Sequence, residues 1–353
     1  MNRRVIVLVL AAFLVCLGTA LPAAAATPEG PRLAISLRGD GPGPEDEFSE
    51  VITTGPAGED PQPLLRGSGG AIGEGLSWAG DGNGFAFSAS GVESTADGPF
   101  GTGWSVVGLA TLGGDAPQVY PSAFLNAGEP VLAPDGSFVV FQRVKLVKVL
   151  PGRENYLFKS SIWKLGVGDG SVKRLTRWRQ AAFFEPSSFS ADGSTLAAES
   201  FGYRVVDGVI AIDLRSHRIA RLARNASEPT FSPDGSKLAF VRDKTRRFQL
   251  PKPDRPVTEL WVARADGSHA RRVLRRNGYI SFPSWDPSGS RLAFARNPPA
   301  DATGGLEPEA GNRAMAINAD GTCLTRVFTD PALTLYDVAW RPGPGREAGP
   351  ISC

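Results

Sequence analysis

Short runs of alternating apolar and polar residues recur along the chain in five similar copies. In each copy one run ends at an aromatic residue or a leucine, an Asp-Gly or similar pair follows, and a second alternating run begins. The copies are WAGDGNGFAFS from Trp78, LAPDGSFVVFQR from Leu132, FSADGSTLAAES from Phe189, FSPDGSKLAFVR from Phe231 and WDPSGSRLAFAR from Trp285. A period of two is typical of a half-buried strand and Asp-Gly of a tight turn, so each copy predicts a β-hairpin.

A second hairpin follows the first in most copies. Strand-like runs flank a turn in SIWKLGVGDGSVKRLT from Ser161, GVIAIDLRSHRIARLA from Gly208, ELWVARADGSHARRVL from Glu259 and RAMAINADGTCLTRVF from Arg313. Four strands make one propeller blade, and successive copies start 42 to 57 residues apart. We therefore predict an all-β fold, a β-propeller whose stacked blades bury faces that one blade alone would expose.

The two ends of the repeat region each carry half a copy. WRPG from Trp340 opens a sixth copy, whereas PRLAISLRG from Pro31 is similar to SRLAFARN from Ser290. We expect the strand around Trp340 to pair with the strand around Ile35. That pairing completes a sixth four-stranded blade and closes the ring, which removes free sheet edges.

The repeat pattern P-x-[WF]-S-P-D-G-x-x-[LI]-A-F resembles the WD40-like (PD40) propeller repeats of the TolB family. FSPDGSKLAFVR from Phe231 is the copy most similar to it. The resemblance spans about residues 31–342 and implies a six-bladed propeller. TolB has an additional N-terminal α/β domain for which we expect no room here, so its partner, an outer-membrane lipoprotein, is not carried over. The same repeats occur in prolyl-oligopeptidase-like peptidases, and one fold supports many functions.

The N-terminus has the pattern of a secretory signal peptide. Arg3 and Arg4 precede an uncharged apolar run over 5–17, and small residues of the A-x-A type follow. We predict a cleaved signal peptide over 1–26 and a propeller domain over 27–353. The predicted location is therefore extracytoplasmic: periplasm, cell wall or extracellular space. An uncleaved membrane anchor is the alternative, whereas cleavage leaves no stable membrane insertion.

Composition excludes several classes of protein. Lys plus Arg total 38 and Asp plus Glu total 36, so the near-zero net charge argues against a nucleic-acid binder. Apolar residues make up 42% of the chain, which allows a packed core. In an oxidising compartment Cys323 and Cys353 are expected to form a disulfide, with two unpaired thiols as the alternative.

Known catalytic signatures are absent from the sequence. A hydrolase of the prolyl-oligopeptidase kind needs a G-x-S-x-G elbow, and Gly75 to Ala79 is only the nearest approach to one. His217 and His269, the only histidines, fall in predicted turns and are interpreted as solvent-exposed rather than as metal ligands. We therefore predict no catalytic residue, no metal site and no cofactor.

Acidic residues recur just before the leading residue of the copies, on the strand expected to line the channel. We call this set the acidic collar: Glu74, Glu129, Glu185, Glu228 and Asp337. The collar could hold a cation or a basic peptide at the channel mouth. In the alternative interpretation, each carboxylate is a repeat feature that accepts a hydrogen bond from the neighbouring blade.

Two basic insertions are expected on the same face of the ring. They run over 143–159 and 242–256, longer than hairpin loops usually are. Their candidate binding residues are Arg153, Tyr156, Arg246, Arg247 and Phe248. Arginine beside aromatic residues could bind an anionic polymer or an acidic protein, although solvated loops are the simpler interpretation.

Together these features favour a secreted, non-catalytic binding module. Its channel-mouth face would hold a protein or an anionic cell-envelope polymer, and a monomer is expected. The alternative is a carbohydrate-active hydrolase or lyase that uses collar carboxylates as acid and base, which requires two carboxyl groups in unequal surroundings.

Overall fold

The structure is a computed structural model, described for residues 32–39, 48–68, 71–93, 102–112, 118–119, 127–149, 156–180, 182–202, 207–243, 257–297, 313–330, 333–342, 350 and 353. The proposed signal peptide, 1–26, lies outside the described residues. Among the residues that the structure describes, no helix has the length and apolar character needed to span a bilayer.

The strands form six sheets arranged as propeller blades. Blade 1 contains β4 (Ala71–Trp78), β5 (Gly84–Glu93), β6 (Thr102–Thr111) and β7 (Gln118–Val119). Blade 2 contains β8 (Ala127–Leu132), β9 (Phe138–Val149), β10 (Tyr156–Gly166) and β11 (Val172–Arg174), and the two-residue β12 (Arg179–Gln180) also pairs with β10. Blade 3 contains β13 (Ala182–Phe189), β14 (Thr195–Gly202), β15 (Gly208–Asp213) and β16 (Ile219–Ala223). Blade 4 contains β17 (Ser227–Phe231), β18 (Lys237–Asp243), β19 (Val257–Arg264) and β20 (Arg271–Asn277); blade 5 contains β21 (Tyr279–Trp285), β22 (Arg291–Asn297), β23 (Arg313–Asn318) and β24 (Thr325–Thr329); blade 6 contains β25 (Leu333–Arg341), β1 (Arg32–Gly39), β2 (Phe48–Thr54) and β3 (Gln62–Ser68). The prediction of an all-β, six-bladed propeller is confirmed.

Blade 6 is assembled from both ends of the repeat region, as the sequence predicted. β25 pairs antiparallel with β1, with Leu33 opposite Trp340 and Ile35 opposite Val338. At the seam between blades 6 and 1, the side chain of Arg341 donates a 2.9 Å hydrogen bond to the carbonyl of Gly82. Gly82 has a φ of 69°, and a β-carbon there would lie 2.0 Å from the carbonyl oxygen of Pro342. Only glycine allows the seam to close this tightly.

The L-A-F triplet of the repeat explains how neighbouring blades interlock. In β22, Leu292 and Phe294 pack in the core shared with blade 4, whereas Ala293 packs in the core shared with blade 6. Leu238 and Phe240 of β18 likewise face the preceding blade. Successive strand residues point to opposite faces, so large side chains meet the blade before and small ones the blade after.

Each of the six junctions between blades contains its own cluster of buried apolar side chains. The cluster between blades 6 and 1, for example, combines Ala34 and Val51 with Phe85 and Phe87. Hydrophobic burial therefore supports the ring at every junction, including the one where the chain ends meet.

The repeated aspartates stabilise the first turn of each copy. Asp135 accepts hydrogen bonds from the backbone N–H of Ser137 at 3.0 Å and from its hydroxyl at 2.7 Å. In blade 3, hydrogen bonds from the Ser190 hydroxyl and from Ser194 lower the pKa of Asp192 to about 2. Turn chemistry thus accounts for the recurrence of Asp-Gly.

The predicted disulfide is present. Cys323, which follows β23, bonds to Cys353, with their Cα atoms 5.4 Å apart. The bond joins the tail that follows blade 6 to blade 5. β25, the strand that closes the ring, lies between the two cysteines in sequence.

Candidate functional site

The inner strands of the six blades surround a central channel of about 600 Å³. Four members of the acidic collar line it: Glu129, Glu185, Glu228 and Asp337. Prolines 134, 233, 287 and 342, from or beside the first turns of their blades, also line the wall. The topology thus gathers carboxylates that are more than 200 residues apart in sequence.

A bulge in the inner strands positions two of these carboxylates. Glu129 and Glu228 each have a φ of 50°, and the strand register shifts beside each of them. Phe282 has the corresponding position in blade 5 and a φ of 54°. A bulge redirects a side chain that a regular strand would hold elsewhere, and left-handed residues other than glycine concentrate at such places.

Two collar carboxylates tie neighbouring blades together. Asp337 Oδ2 accepts a hydrogen bond from the backbone N–H of Leu76 at 2.7 Å. Glu228 Oε2 accepts a short hydrogen bond from the backbone N–H of Phe282 in blade 5. Inner strands of neighbouring blades share no ladder, so these side chains satisfy backbone donors that would otherwise lack a partner. For these two residues the neighbouring-blade interpretation is confirmed.

A ring of serines makes similar contacts that the sequence analysis missed. Ser77, Ser188 and Ser284 accept hydrogen bonds from the backbone N–H of the leading residue in the next blade, at 2.9 to 3.0 Å. The signal was visible, because serine precedes the leading aromatic residue in three copies. The channel wall is therefore held in place by side chains around the ring.

The carboxylates of blades 3 and 4 influence one another. Burial raises the pKa of Glu228 to about 7; the Phe282 N–H opposes this rise and the charge of Glu185 adds to it. Glu185 is paired in register with Glu199, a buried residue of β14 that also lines the channel. The wall therefore concentrates carboxyl groups whose ionised forms a cationic group would stabilise.

Glu199 is a further residue that the sequence analysis missed. It stands at the repeat position that holds Val241 in blade 4 and Ala295 in blade 5. A carboxylate at a position otherwise apolar and buried was the available signal.

The remaining predicted binding residues cannot be placed in the channel. Arg153, Arg246, Arg247 and Phe248 lie outside the described residues, as do the side chains of Glu74 and Tyr156. Their participation in binding stays a prediction.

The structure corrects the expectation for the first basic insertion. Much of 143–159 is not loop: β9 continues to Val149 and β10 begins at Tyr156, and these two residues pair. The alternating apolar and polar residues of RVKLVKV continue the strand and lengthen the hairpin, whereas the length of the insertion alone suggested a loop. His217 and His269 are exposed turn residues, as expected.

Within the described ranges, no three His, Cys, Asp or Glu side chains are grouped so that they could hold a metal ion. The carboxylates of the channel are distributed between neighbouring blades, and at least two of them bond to backbone amides.

Comparison with known proteins supports the same architecture. The Tol-Pal system protein TolB of Albidiferax ferrireducens is 28% identical over 125 residues, which is 35% of this chain and 26% of that relative. The match thus spans about a quarter of the relative's length. No protein-family model matches the chain.

Two solved structures have the same fold. TolB from Acinetobacter baumannii superposes with a TM-score of 0.63 at 17% identity, covering 94% of this chain and 70% of that one. A protein assigned as TolB from Agrobacterium tumefaciens gives a TM-score of 0.56 at 19% identity, covering 88% of this chain and 99% of that one. With the closed ring and its repeats, these similarities make the chain a TolB-like six-bladed β-propeller protein.

Proposed function

We propose that this protein is a non-catalytic binding module that acts outside the cytoplasm and holds a protein partner at the acidic end of its central channel. The observation that carries the proposal is the carboxylate-lined channel. Its volume of about 600 Å³ is large enough for a few side chains of a partner.

The channel chemistry favours a partner with a basic segment. Glu129, Glu185, Glu228 and Asp337 line the wall, so a lysine or arginine entering the mouth gains attraction from several carboxylates. The same charges repel an anionic polymer from this opening. Of the two partner classes considered from sequence, a protein is therefore the one that we propose for the channel.

Rigidity supports the same proposal. Hydrogen bonds from one blade to the next fix the inner strands, including those that Asp337 and Ser284 accept. A wall that does not need to be ordered on binding loses less entropy when a ligand enters. The sequence similarity to a protein of the Tol-Pal system and the Cys323–Cys353 disulfide fit a role in the cell envelope.

The test uses residues 27–353 and fluorescent peptides of equal length, either lysine- and arginine-rich or glutamate-rich. We expect the basic peptides to bind with an affinity that falls as salt increases, and the acidic peptides not to bind. The Glu129→Gln/Glu185→Gln variant should bind the basic peptides at least about tenfold more weakly, since it removes two charged contacts. Asp169→Asn/Asp207→Asn, at two exposed carboxylates that do not line the channel, removes the same charge and is the matched control. Equal binding by the channel variant and the control would refute the proposal.

A carbohydrate-active hydrolase or lyase is the second candidate, and one observation favours it. Glu228, with its pKa raised to about 7, lies near Glu185, and such a pair resembles an acid beside a charged carboxylate. The hydrogen bond between Glu228 and the Phe282 N–H instead assigns Glu228 a structural contact. Cleavage of acidic or neutral oligosaccharides by the wild-type chain, lost in Glu228→Gln, would establish this candidate.

A further inference from the structure

Three arginine side chains gather at the junction of blades 4 and 5, outside the central channel. Arg296 is the second-to-last residue of β22, and Arg313 pairs with it in register as the first residue of β23. Phe294 lies two residues from Arg296 on β22, and Met315 lies two residues from Arg313 on β23. Both pack toward blade 4 in the apolar cluster that blades 4 and 5 share. Because alternate residues share a face of a strand, Arg296 and Arg313 also point toward blade 4.

Arg276 approaches the pair from blade 4. It is paired in register with Thr258. The Thr258 hydroxyl donates to the carbonyl of Gly278 at 2.9 Å and accepts from the N–H of Ile280 at 2.8 Å, so it faces blade 5. Directly opposed residues share a face, which directs Arg276 to the same junction.

Arg296 and Arg313 lack compensating charges among the described residues, whereas Arg276 is exposed to solvent and donates a 3.0 Å hydrogen bond to the carbonyl of Arg275. The Nε atoms of Arg296 and Arg313 are buried without a hydrogen-bond partner, and neither side chain forms an ion pair within the described part of the chain. Burial lowers the pKa of Arg296, and the charges of Arg276 and Arg313 lower it further. Like charges placed opposite one another in a sheet destabilise it.

Blade 4 has a carboxylate opposite the same repeat position, although the Nε atom of its arginine, Arg242, is likewise buried without a hydrogen-bond partner. Arg242 is the counterpart of Arg296 in the repeat, and its register partner is Glu259. Glu259 is fully buried and also forms a 3.0 Å ion pair with Arg272. Blade 5 has arginine, Arg313, where blade 4 has this glutamate. The junction of blades 4 and 5 therefore presents the cations of the pair without the carboxylate.

We propose that Arg276, Arg296 and Arg313 form an anion site that takes a phosphate or carboxylate group of a ligand in the role that the Glu259 carboxylate has in blade 4. Guanidinium groups bind both kinds of oxyanion through paired hydrogen bonds. Arg296 and Arg313 lie near the end of blade 5 at which β22 ends and β23 begins, which is also the end at which β21 begins. The site is independent of the partner proposed for the channel.

Two probes at constant ionic strength test the site: inorganic phosphate and citrate. We expect at least one to bind the wild-type chain in calorimetric titration and to raise its melting temperature, since a ligand of the native state stabilises it. Binding of phosphate alone would indicate a phosphoryl ligand, and binding of citrate alone a carboxylate ligand. Failure of both to bind would overturn the proposal.

Arg313→Glu is the decisive variant, because it recreates the Arg–Glu pair of blade 4. Without added anion it should melt at a higher temperature than the wild-type chain. Its affinity for the effective probe should fall by at least about tenfold. Arg221→Glu, at an exposed arginine of β16, makes the same change in net charge and should bind as the wild type does. Unchanged probe affinity in Arg313→Glu, or a lower melting temperature without anion, would show that Arg313 has only a structural role.

Discussion

Asp337 and Leu76 are separated by 261 positions in the chain, yet the Asp337 carboxylate accepts a 2.7 Å hydrogen bond from the Leu76 amide. The bond joins blade 6 to blade 1 beside the channel. A residue at the collar position can therefore join neighbouring blades as well as line the channel.

We expect Asp337→Ala to lower the free energy of unfolding by about 1.5–3 kcal/mol, because a partly buried N–H loses a charged acceptor. Asp337→Asn keeps an acceptor oxygen and should lose clearly less. Urea unfolding followed by tryptophan fluorescence measures both. Equal losses in the two variants would mean that charge, rather than the hydrogen bond to Leu76, is what matters.

The alternation of large and small side chains at blade junctions predicts that two opposite substitutions destabilise the fold, one by leaving a cavity and one by overpacking. Phe294→Ala should cost about 3–5 kcal/mol through a cavity facing blade 4. Ala293→Leu should cost about 1–3 kcal/mol through crowding against blade 6. Both residues are fully buried, whereas Ile219 is 45% exposed. Ile219→Ala is the control and should change the unfolding midpoint little.

Glu228 predicts a specific dependence of stability on pH. Its pKa is about 7 in the folded protein against an ordinary value of 4.5, so the native state binds the proton more tightly. The resulting stability is present below pH 4.5 and is lost as pH rises through 7, at most about 3 kcal/mol for this one group.

Glu228→Gln mimics the protonated form and keeps an acceptor for the Phe282 N–H. We expect it to match the wild type near pH 4.5 and to be more stable above pH 7. Chemical unfolding across this range measures the difference between the two proteins. A constant difference would show that Glu228 does not change its protonation there.

The disulfide predicts a stability that depends on redox conditions. Cys323 and Cys353 are 30 positions apart, so the cross-link should contribute about 3–4 kcal/mol by limiting the unfolded chain. The Cys323→Ser/Cys353→Ser variant should melt at a lower temperature than the oxidised wild type. A reducing agent should lower the melting temperature of the wild type alone. Residues 27–353 of the double variant contain no cysteine, so a response of that variant to reductant would contradict the prediction.

The architecture was predictable because every level of the sequence indicated the same fold. The half copy at Trp340 and the strand-like run around Ile35 predicted the closing pair, and Leu33 does lie opposite Trp340. Turn aspartates, apolar alternation and copy spacing agreed with one another, and such consistency is what specifies a fold.

The site was only partly predictable. Spacing located Glu228 and Asp337 beside the channel, but their amide partners lie in other blades at distances that the repeat does not encode. Glu199 and the arginines at the junction of blades 4 and 5 depart from the repeat. The sequence could not predict which charges they meet, because those neighbouring charges belong to separate copies and come together only in the folded ring.

The position of the disulfide has a mechanical consequence. β25 lies inside the loop that Cys323 and Cys353 close. Tension applied at the C-terminal cysteine passes through the covalent bond into blade 5 and bypasses the hydrogen bonds between β25 and β1. A partner that pulls on this end under oxidising conditions therefore cannot unzip the ring by peeling off its last strand.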